Sequence, residues 1–248
     1  MTPAKPHRLL PEHLRVPWGI LDALAVFLAP WIVLPFVVIA ACYLLAPAFP
    51  AAKQVLQALA DGNLTAAFVL TLGEVAVAAA AIGWNLRRYK VSWATVGFRP
   101  FSPFKAVAYL AIILVGFLVV VSALLWLISL LSPGFNANQS QTNEFTTAAT
   151  THRNLALIAL VVIPPIVEES VFRGFVFPAF ANRLGLVWGA IASSVLFGLA
   201  HWQANVTIYT FILGLLLCFM YIKLRSIVPG IALHMLNNYL AFMALGHK

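Results

Sequence analysis

The sequence predicts an all-α protein, a polytopic membrane bundle of about seven transmembrane helices. Its composition is 62% hydrophobic and 9% charged, with a mean hydropathy of +0.96, whereas soluble domains are about 25% charged. Apolar runs of roughly 20 residues, the length of a spanning helix, recur along the chain. These runs are too long and continuous for the alternating strands of a barrel, and lipid cannot pair free backbone groups. The spans should therefore be helices.

Seven apolar segments account for the predicted spans: 20–47, 64–86, 105–132, 154–178, 186–203, 205–224 and 227–246. No repeat or linker divides them, so we expect a single membrane domain over 1–248. Within it, 1–17 is predicted to be a cytoplasmic interfacial arm and 18–150 to form the N-terminal helices. The remaining core, 151–248, carries the polar residues that call for a function.

Lysine and arginine are distributed unevenly between the two sides of these spans. Eleven lie on the side of the N-terminus and three on the other, with intramembrane Arg173 set aside from the fifteen. The positive-inside rule therefore predicts a cytoplasmic N-terminus and an outer C-terminus. The net charge of +8 is explained by this bias and by attraction to anionic lipid. The lipid bilayer is an expected partner, and nucleic acid is not, because it would need a basic face on a soluble surface.

Two adjacent glutamates and an arginine lie inside an apolar segment, in the run PPIVEESVFRG. A charged side chain at membrane depth costs about 2.5 to 3.5 kcal/mol, so such groups normally pair and carry function. Glu169 and Arg173 are four residues apart and can form an ion pair on one helix face. Glu168 is rotated by about 100° from Glu169, which leaves it as an unpaired carboxylate. A charge network that only fixes helix packing is the plainer alternative.

A helix defect is predicted beside these charges, and two histidines are predicted to join them. Pro164 and Pro165 remove backbone donors one turn before Glu168 and should bend or interrupt the helix. His201 follows Phe197 on one helix face, and His234 shares a face with Asn238. The site is therefore expected between the C-terminal helices. The polar loop PGFNANQSQTNEFTTAATTHRN, which precedes this segment, is either a plain connector or a flexible rim.

If the helices were straight, the glutamates and the two histidines would lie at different depths in the membrane. Glu168 and His234 fall nearer the cytoplasmic side, whereas His201 falls nearer the outer side, so tilt or breakage of a helix must reconcile them. Glu74, in the middle of the second span, has no partner in its own segment. We leave it out of the site, because a hydrogen-bonded carboxyl or a contact to another helix accounts for it equally well.

Three short motifs together resemble those of a known family. EESVFR matches EExxxR, FGLAH matches FxxxH and HMLNN matches HxxxN, in that order and on three apolar segments. The sequence is thus similar to the CPBP family of CAAX proteases and bacteriocin-processing enzymes, which includes the type II CAAX prenyl protease or Ras-converting enzyme. The resemblance implies a multi-pass protein of a bacterial cytoplasmic membrane, with 151–248 as its catalytic core.

The resemblance also implies a role for each motif residue. Glu168 would be the base that activates water, and His201 would help to hold that water. His234 and Asn238 would stabilise the oxyanion. The supporting residues would be Glu169, Arg173 and Phe197.

The expected function is that of an intramembrane endopeptidase acting on a membrane-associated peptide or protein, of which a prenylated CAAX substrate is one option. A cofactor is left open. Glu168, His201 and His234 form a zinc-compatible ligand set if a metal is used, but the HExxH arrangement is absent and a metal-free activated water serves as well. Two other classes remain: a catalytically silent scaffold or immunity-type binding protein, and a cation or proton transporter. Transporters more often show broken helices in two halves.

Overall fold

The computed structural model describes residues 10–61, 63–132, 153–201 and 204–245, and these residues form helices joined by turns and loops. We number the helices in chain order: α1 (Ile20–Leu45), α2 (Pro50–Ala60), α3 (Leu64–Tyr89), α4 (Trp93–Val96), α5 (Pro103–Leu131), α6 (Arg153–Leu184), α7 (Leu186–Leu199), α8 (Ala204–Leu224) and α9 (Val228–Leu245). The polar loop before α6 and the first nine residues of the predicted arm lie outside the described residues.

The predicted polytopic helical membrane protein is confirmed, but the number of full-length spans is lower than expected. Within the described ranges, five helices are long and apolar enough to cross a membrane: α1, most of α3, α5, α6 and most of α8. Helices also form at the other two predicted positions, as α7 and α9. With 14 residues, α7 is about 21 Å long, shorter than the roughly 30 Å hydrocarbon core. Prediction also missed the amphipathic helix α2, which lies between the first two spans.

Within the described ranges, three π-helical turns interrupt the long helices, and each ends two residues before a proline. They are Ala29–Val33 in α1, and Ile158–Val162 and Phe172–Val176 in α6. In each case the residue just before the proline donates its N–H five residues back, for example from Ile163 to the Ile158 carbonyl. A proline lacks the N–H that would continue the regular ladder, and wider turns of this kind accommodate the change. The predicted defect at Pro164 and Pro165 is therefore confirmed.

The described part of the N-terminal arm packs against α6. Trp18 is buried, donates its indole N–H to the Phe175 carbonyl at 3.0 Å, and stacks on the Phe175 ring with 4.2 Å between ring centroids. The Leu14 carbonyl accepts a 2.6 Å hydrogen bond from the Asn182 side chain. This arm thus covers the second π-helical turn of α6, and the buried aromatic cluster between α1, α3 and α6 continues directly from it.

The loop after α4 sets the height at which α9 begins. A Cβ on Gly174 would lie only 2.4 Å from the carbonyl oxygen of Val96, the last residue of α4, so α6 and the end of α4 approach at a distance that only glycine permits. Gly97 has a φ of +109°, which favours glycine, and its carbonyl accepts a 3.0 Å hydrogen bond from the Ile227 N–H. The turn before α9 is thus held at the level of Gly174, one and a half helical turns from Glu169.

Candidate functional site

The ion pair predicted within α6 is present and fully buried. Arg173 Nη1 lies 2.8 Å from Glu169 Oε1, and each side chain is 1% exposed. The guanidinium carbon of Arg173 lies 4.2 Å from the centroid of the Phe197 ring, a cation–π contact between α6 and α7. The ion pair neutralises the Glu169 carboxylate, and the cation–π contact links the EExxxR motif to the FxxxH motif.

His234 lies between the two glutamates. Its Nδ1 is 3.1 Å from Glu169 Oε1, and its Nε2 is 3.7 Å from Glu168 Oε2. Because the Glu169 carboxylate is paired with Arg173, it acts as the acceptor and His234 Nδ1 carries a hydrogen. The Glu168 side chain is 17% exposed, against 3% for His234, so Glu168 is the carboxylate that a reactant can reach.

His201 lies in the turn after α7 and contacts the Phe197 ring. Its Nδ1 is 2.9 Å from the Phe197 carbonyl. A carbonyl can only accept, so Nδ1 carries the hydrogen and the neutral ring keeps a lone pair on Nε2. Both imidazoles meet the Phe197 ring edge-on, with ring centroids 5.2 Å away for His201 and 5.7 Å for His234. Phe197 therefore contacts both histidines and helps to fix the orientation of their rings.

The short length of α7 explains how His201 reaches the depth of the glutamates. Gly185, at the sharp turn between α6 and α7, is 17 residues after Glu168 and 16 residues before His201. The equal numbers of residues on the two sides of this turn allow Glu168 and His201 to lie at similar depth. Counting along straight helices placed His201 nearer the outer side and required a tilted or broken helix, and the 14-residue α7, which is too short to cross the hydrocarbon core, removes that difficulty.

Asn238 is hydrogen-bonded to the π-helical turn of α6 that precedes Pro164. Its side-chain amide donates to the Leu160 carbonyl at 3.0 Å, and its oxygen accepts from the Asn237 amide at 3.3 Å. The Asn237 oxygen in turn accepts a hydrogen bond from the Tyr209 hydroxyl. Asn237 and Asn238 thus have different hydrogen-bond partners. The second N–H of the Asn238 side-chain amide takes part in none of these three hydrogen bonds.

Glu74 on α3 is the residue that sequence reasoning left out. It is partly buried, and its charge lies close enough to Glu168 to interact with it. The signal was available, because a carboxylate in the middle of an apolar span has the same insertion cost as Glu168. What was missing was the packing of α3 against α6, which the sequence alone does not specify.

Glu168, His201 and His234 are the ligands considered in case a metal is used. Among the described residues, no group of three or more His, Cys, Asp and Glu side chains is arranged to hold a metal ion. Glu168 Oε2 and His234 Nε2 are 3.7 Å apart, and both histidines contact the Phe197 ring.

Taken together, the fold and these contacts define a polytopic helical membrane protein with a buried site of glutamate, arginine and histidine on its C-terminal helices. Residues 150–240 match the protein-family model described as "Type II CAAX prenyl endopeptidase Rce1-like". They therefore form an Rce1-like domain of the CPBP family, which confirms the resemblance carried by the three motifs.

One similar curated protein supports this conclusion. Over 92 residues the chain is 29% identical to the "Putative membrane peptidase YdiL" of Bacillus subtilis (strain 168), a stretch that covers 37% of this chain and 38% of that protein. The chain thus spans less than two fifths of that relative's length. No solved structure matches the chain.

Proposed function

We propose that this protein is an intramembrane endopeptidase, which hydrolyses a peptide bond of a membrane-associated protein with a water molecule activated by Glu168 and His201. The observation that carries the proposal is the unequal environment of the two glutamates. Glu169 Oε1 accepts from both Arg173 and His234, whereas Glu168 has no guanidinium partner among the described residues and is more exposed. Glu169 is thus suited to hold Arg173 and His234 in place, and Glu168 is suited to accept and donate a proton.

In the proposed reaction, Glu168 accepts a proton from water as its oxygen attacks the scissile carbonyl carbon. The lone pair on His201 Nε2 accepts a hydrogen bond from the same water and helps to orient it, which is the task of a positioned base. When the C–N bond breaks, Glu168 passes its proton to the departing amine nitrogen. Glu168 therefore ends in its starting state, and one water molecule is added across the peptide bond.

The oxyanion of the tetrahedral intermediate would be stabilised by His234 and Asn238. His234 Nδ1 is held by the Glu169 carboxylate, so Nε2 is the ring nitrogen that would donate to the oxyanion when it carries a hydrogen. The second N–H of the Asn238 amide is the other donor.

The substrate is proposed to be a membrane-associated peptide or protein, and a prenylated CAAX sequence is one such substrate that the family suggests. We further propose a bacterial cytoplasmic membrane, with the N-terminus inside. The mechanism needs no step through a metal ion.

The test is a comparison of membrane proteomes from cells that express the wild-type protein or Glu168→Gln. New protein termini that appear only with the wild-type protein would support the proposal. A Leu240→Ala variant, altered at an exposed position of the same membrane domain, should give the wild-type pattern. Identical termini in all three cultures, with equal expression, would favour a silent scaffold instead.

A further inference from the structure

A groove runs along α3. Residues 166–170 of α6 form its other wall at one end, and Val91 and Trp93 line it at the other. It consists of two adjoining cavities that share Ala79 and Trp93. The inner cavity has a volume of about 400 Å³, and the outer one, toward the end of α3 that carries the basic residues, about 820 Å³. The two have different chemistry.

The inner cavity is suited to hydrocarbon. Side chains of α3 and α6 line it, including Val75, Ile82, Ile166 and Val167. Its single hydroxyl, that of Ser170, already donates to the Ile166 carbonyl at 2.6 Å. A polar ligand would find no free partner here, whereas an acyl chain would bury apolar surface.

The outer cavity carries positive charge and aromatic rings. Arg87 and Lys90 line it and are exposed, and neither forms an ion pair within the described part of the chain. The neighbouring Arg88, by contrast, is held by Asp22 at 3.3 Å. Trp84 and Trp93, 68% and 47% exposed, flank the cations, as aromatic residues do at the headgroup level of a membrane.

We propose that this groove binds one anionic phospholipid, with an acyl chain in the inner cavity and the phosphate between Arg87 and Lys90. The length agrees: Val75 and Lys90 are 15 residues apart, about 22 Å along α3, and one leaflet with its headgroups is about 20 to 22 Å thick. Basic pockets at helix ends bind anionic headgroups through charge and phosphate hydrogen bonds.

The site also has a consequence for the proposed active site. Ile166 and Val167 line the inner cavity, and Glu168 is the next residue of the same helix. A bound acyl chain would therefore pack against the turn of α6 that carries the proposed base. The binding proposal itself does not depend on the peptidase assignment.

The test is native mass spectrometry of the detergent-purified protein titrated with phosphatidylglycerol or phosphatidylcholine of the same acyl chains. We expect the wild-type protein to prefer phosphatidylglycerol, and the Arg87→Gln/Lys90→Gln variant to lose this preference, which two basic groups would set at roughly 30-fold. Ala79→Trp, at an exposed position shared by both cavities, should bind both lipids more weakly. The matched control is Arg183→Gln/Lys223→Gln, which removes two exposed cations from the ends of α6 and α8 and should keep the preference.

Equal binding of the two lipids by the wild-type protein would overturn the proposal, as would an unchanged preference in the Arg87→Gln/Lys90→Gln variant. Wild-type binding of both lipids by Ala79→Trp would overturn the placement of the acyl chain in the inner cavity.

Discussion

The side-chain amide of Asn238 donates a 3.0 Å hydrogen bond to the backbone carbonyl of Leu160. That carbonyl lies four residues before Pro164 and five before Pro165, so neither the α-helical nor the π-helical donor exists for it. A backbone carbonyl without a partner is costly inside a membrane, even where it is half-buried in the protein. Asn238 thus ties α9 to the defect in α6 that immediately precedes the glutamates, and is a positioning residue whatever else it does.

Asn238→Ala should lower the free energy of unfolding by about 1 to 3 kcal/mol, because it leaves the Leu160 carbonyl unpaired. The effect is measured by chemical unfolding in detergent. Pro164→Ala restores a backbone N–H four residues after Leu160, which can pair with the Leu160 carbonyl. In that background, Asn238→Ala should therefore lower the free energy of unfolding by less. If a double-mutant cycle finds no coupling between positions 164 and 238, the Asn238 hydrogen bond does not compensate for the missing N–H of the proline.

Glu168→Gln should reduce the turnover of an identified substrate by roughly 100-fold to 10,000-fold, the usual contribution of a general base. The amide keeps the size of the side chain but does not accept the proton of water. Unfolding should stay close to wild type, since Glu168 is not part of the Arg173 pair. Near wild-type cleavage by this variant would refute the assignment of the base.

Removing one partner of the Glu169 and Arg173 pair should destabilise the protein by about 3 to 5 kcal/mol, because it leaves the other charge buried and alone. Glu169→Gln and Arg173→Met test this separately by thermal unfolding. The double variant, which leaves neither charge unpaired, should lose less than the sum of the two. Unchanged melting of both single variants would contradict the buried pair.

Stability should fall as the pH is lowered from 7 toward 4, in part through His13 in the N-terminal arm. Burial, and then the charges of Arg99 and Arg225, lower the pKa of His13 from 6.5 to about 4. The unfolded chain therefore binds a proton near pH 6.5 that the folded protein does not bind until about pH 4, so unfolding is favoured within this window.

His13→Phe removes this titration and retains an aromatic ring against Tyr221, which His13 meets edge-on at 5.3 Å. Between pH 7 and 4.5, the free energy of unfolding of the wild type should fall by about 1 to 3 kcal/mol more than that of the His13→Phe variant. Parallel pH profiles of the two proteins would rule out a contribution from His13.

A reporter fused after Lys248 should be active outside the cytoplasm, as the bias of positive charge predicts. In a variant without Cys42 and Cys218, a cysteine at the exposed Ser92 should be protected from impermeant label added to intact cells. Labelling should appear once the membrane is opened. The reverse result at both positions would invert the predicted orientation.

Much of the local structure could be predicted from the sequence. The hydropathy of the chain determined a helical membrane bundle, since lipid allows few other ways to pair the backbone. The spacing of Glu169 and Arg173 determined their ion pair, because residues four apart meet on one helix face. The paired prolines likewise determined the defect beside Glu168, since they remove two consecutive donors from the helix.

Contacts between helices were decided only by the tertiary structure. The depth of His201 depends on where α7 ends, and the position of His234 between Glu168 and Glu169 depends on the turn held by Gly97. Hydrophobicity marks which segments enter the membrane, but it is nearly the same along and around these helices. It therefore leaves their relative height and rotation to be set by close packing at glycines and by a few buried hydrogen bonds, such as that of Asn238 to Leu160.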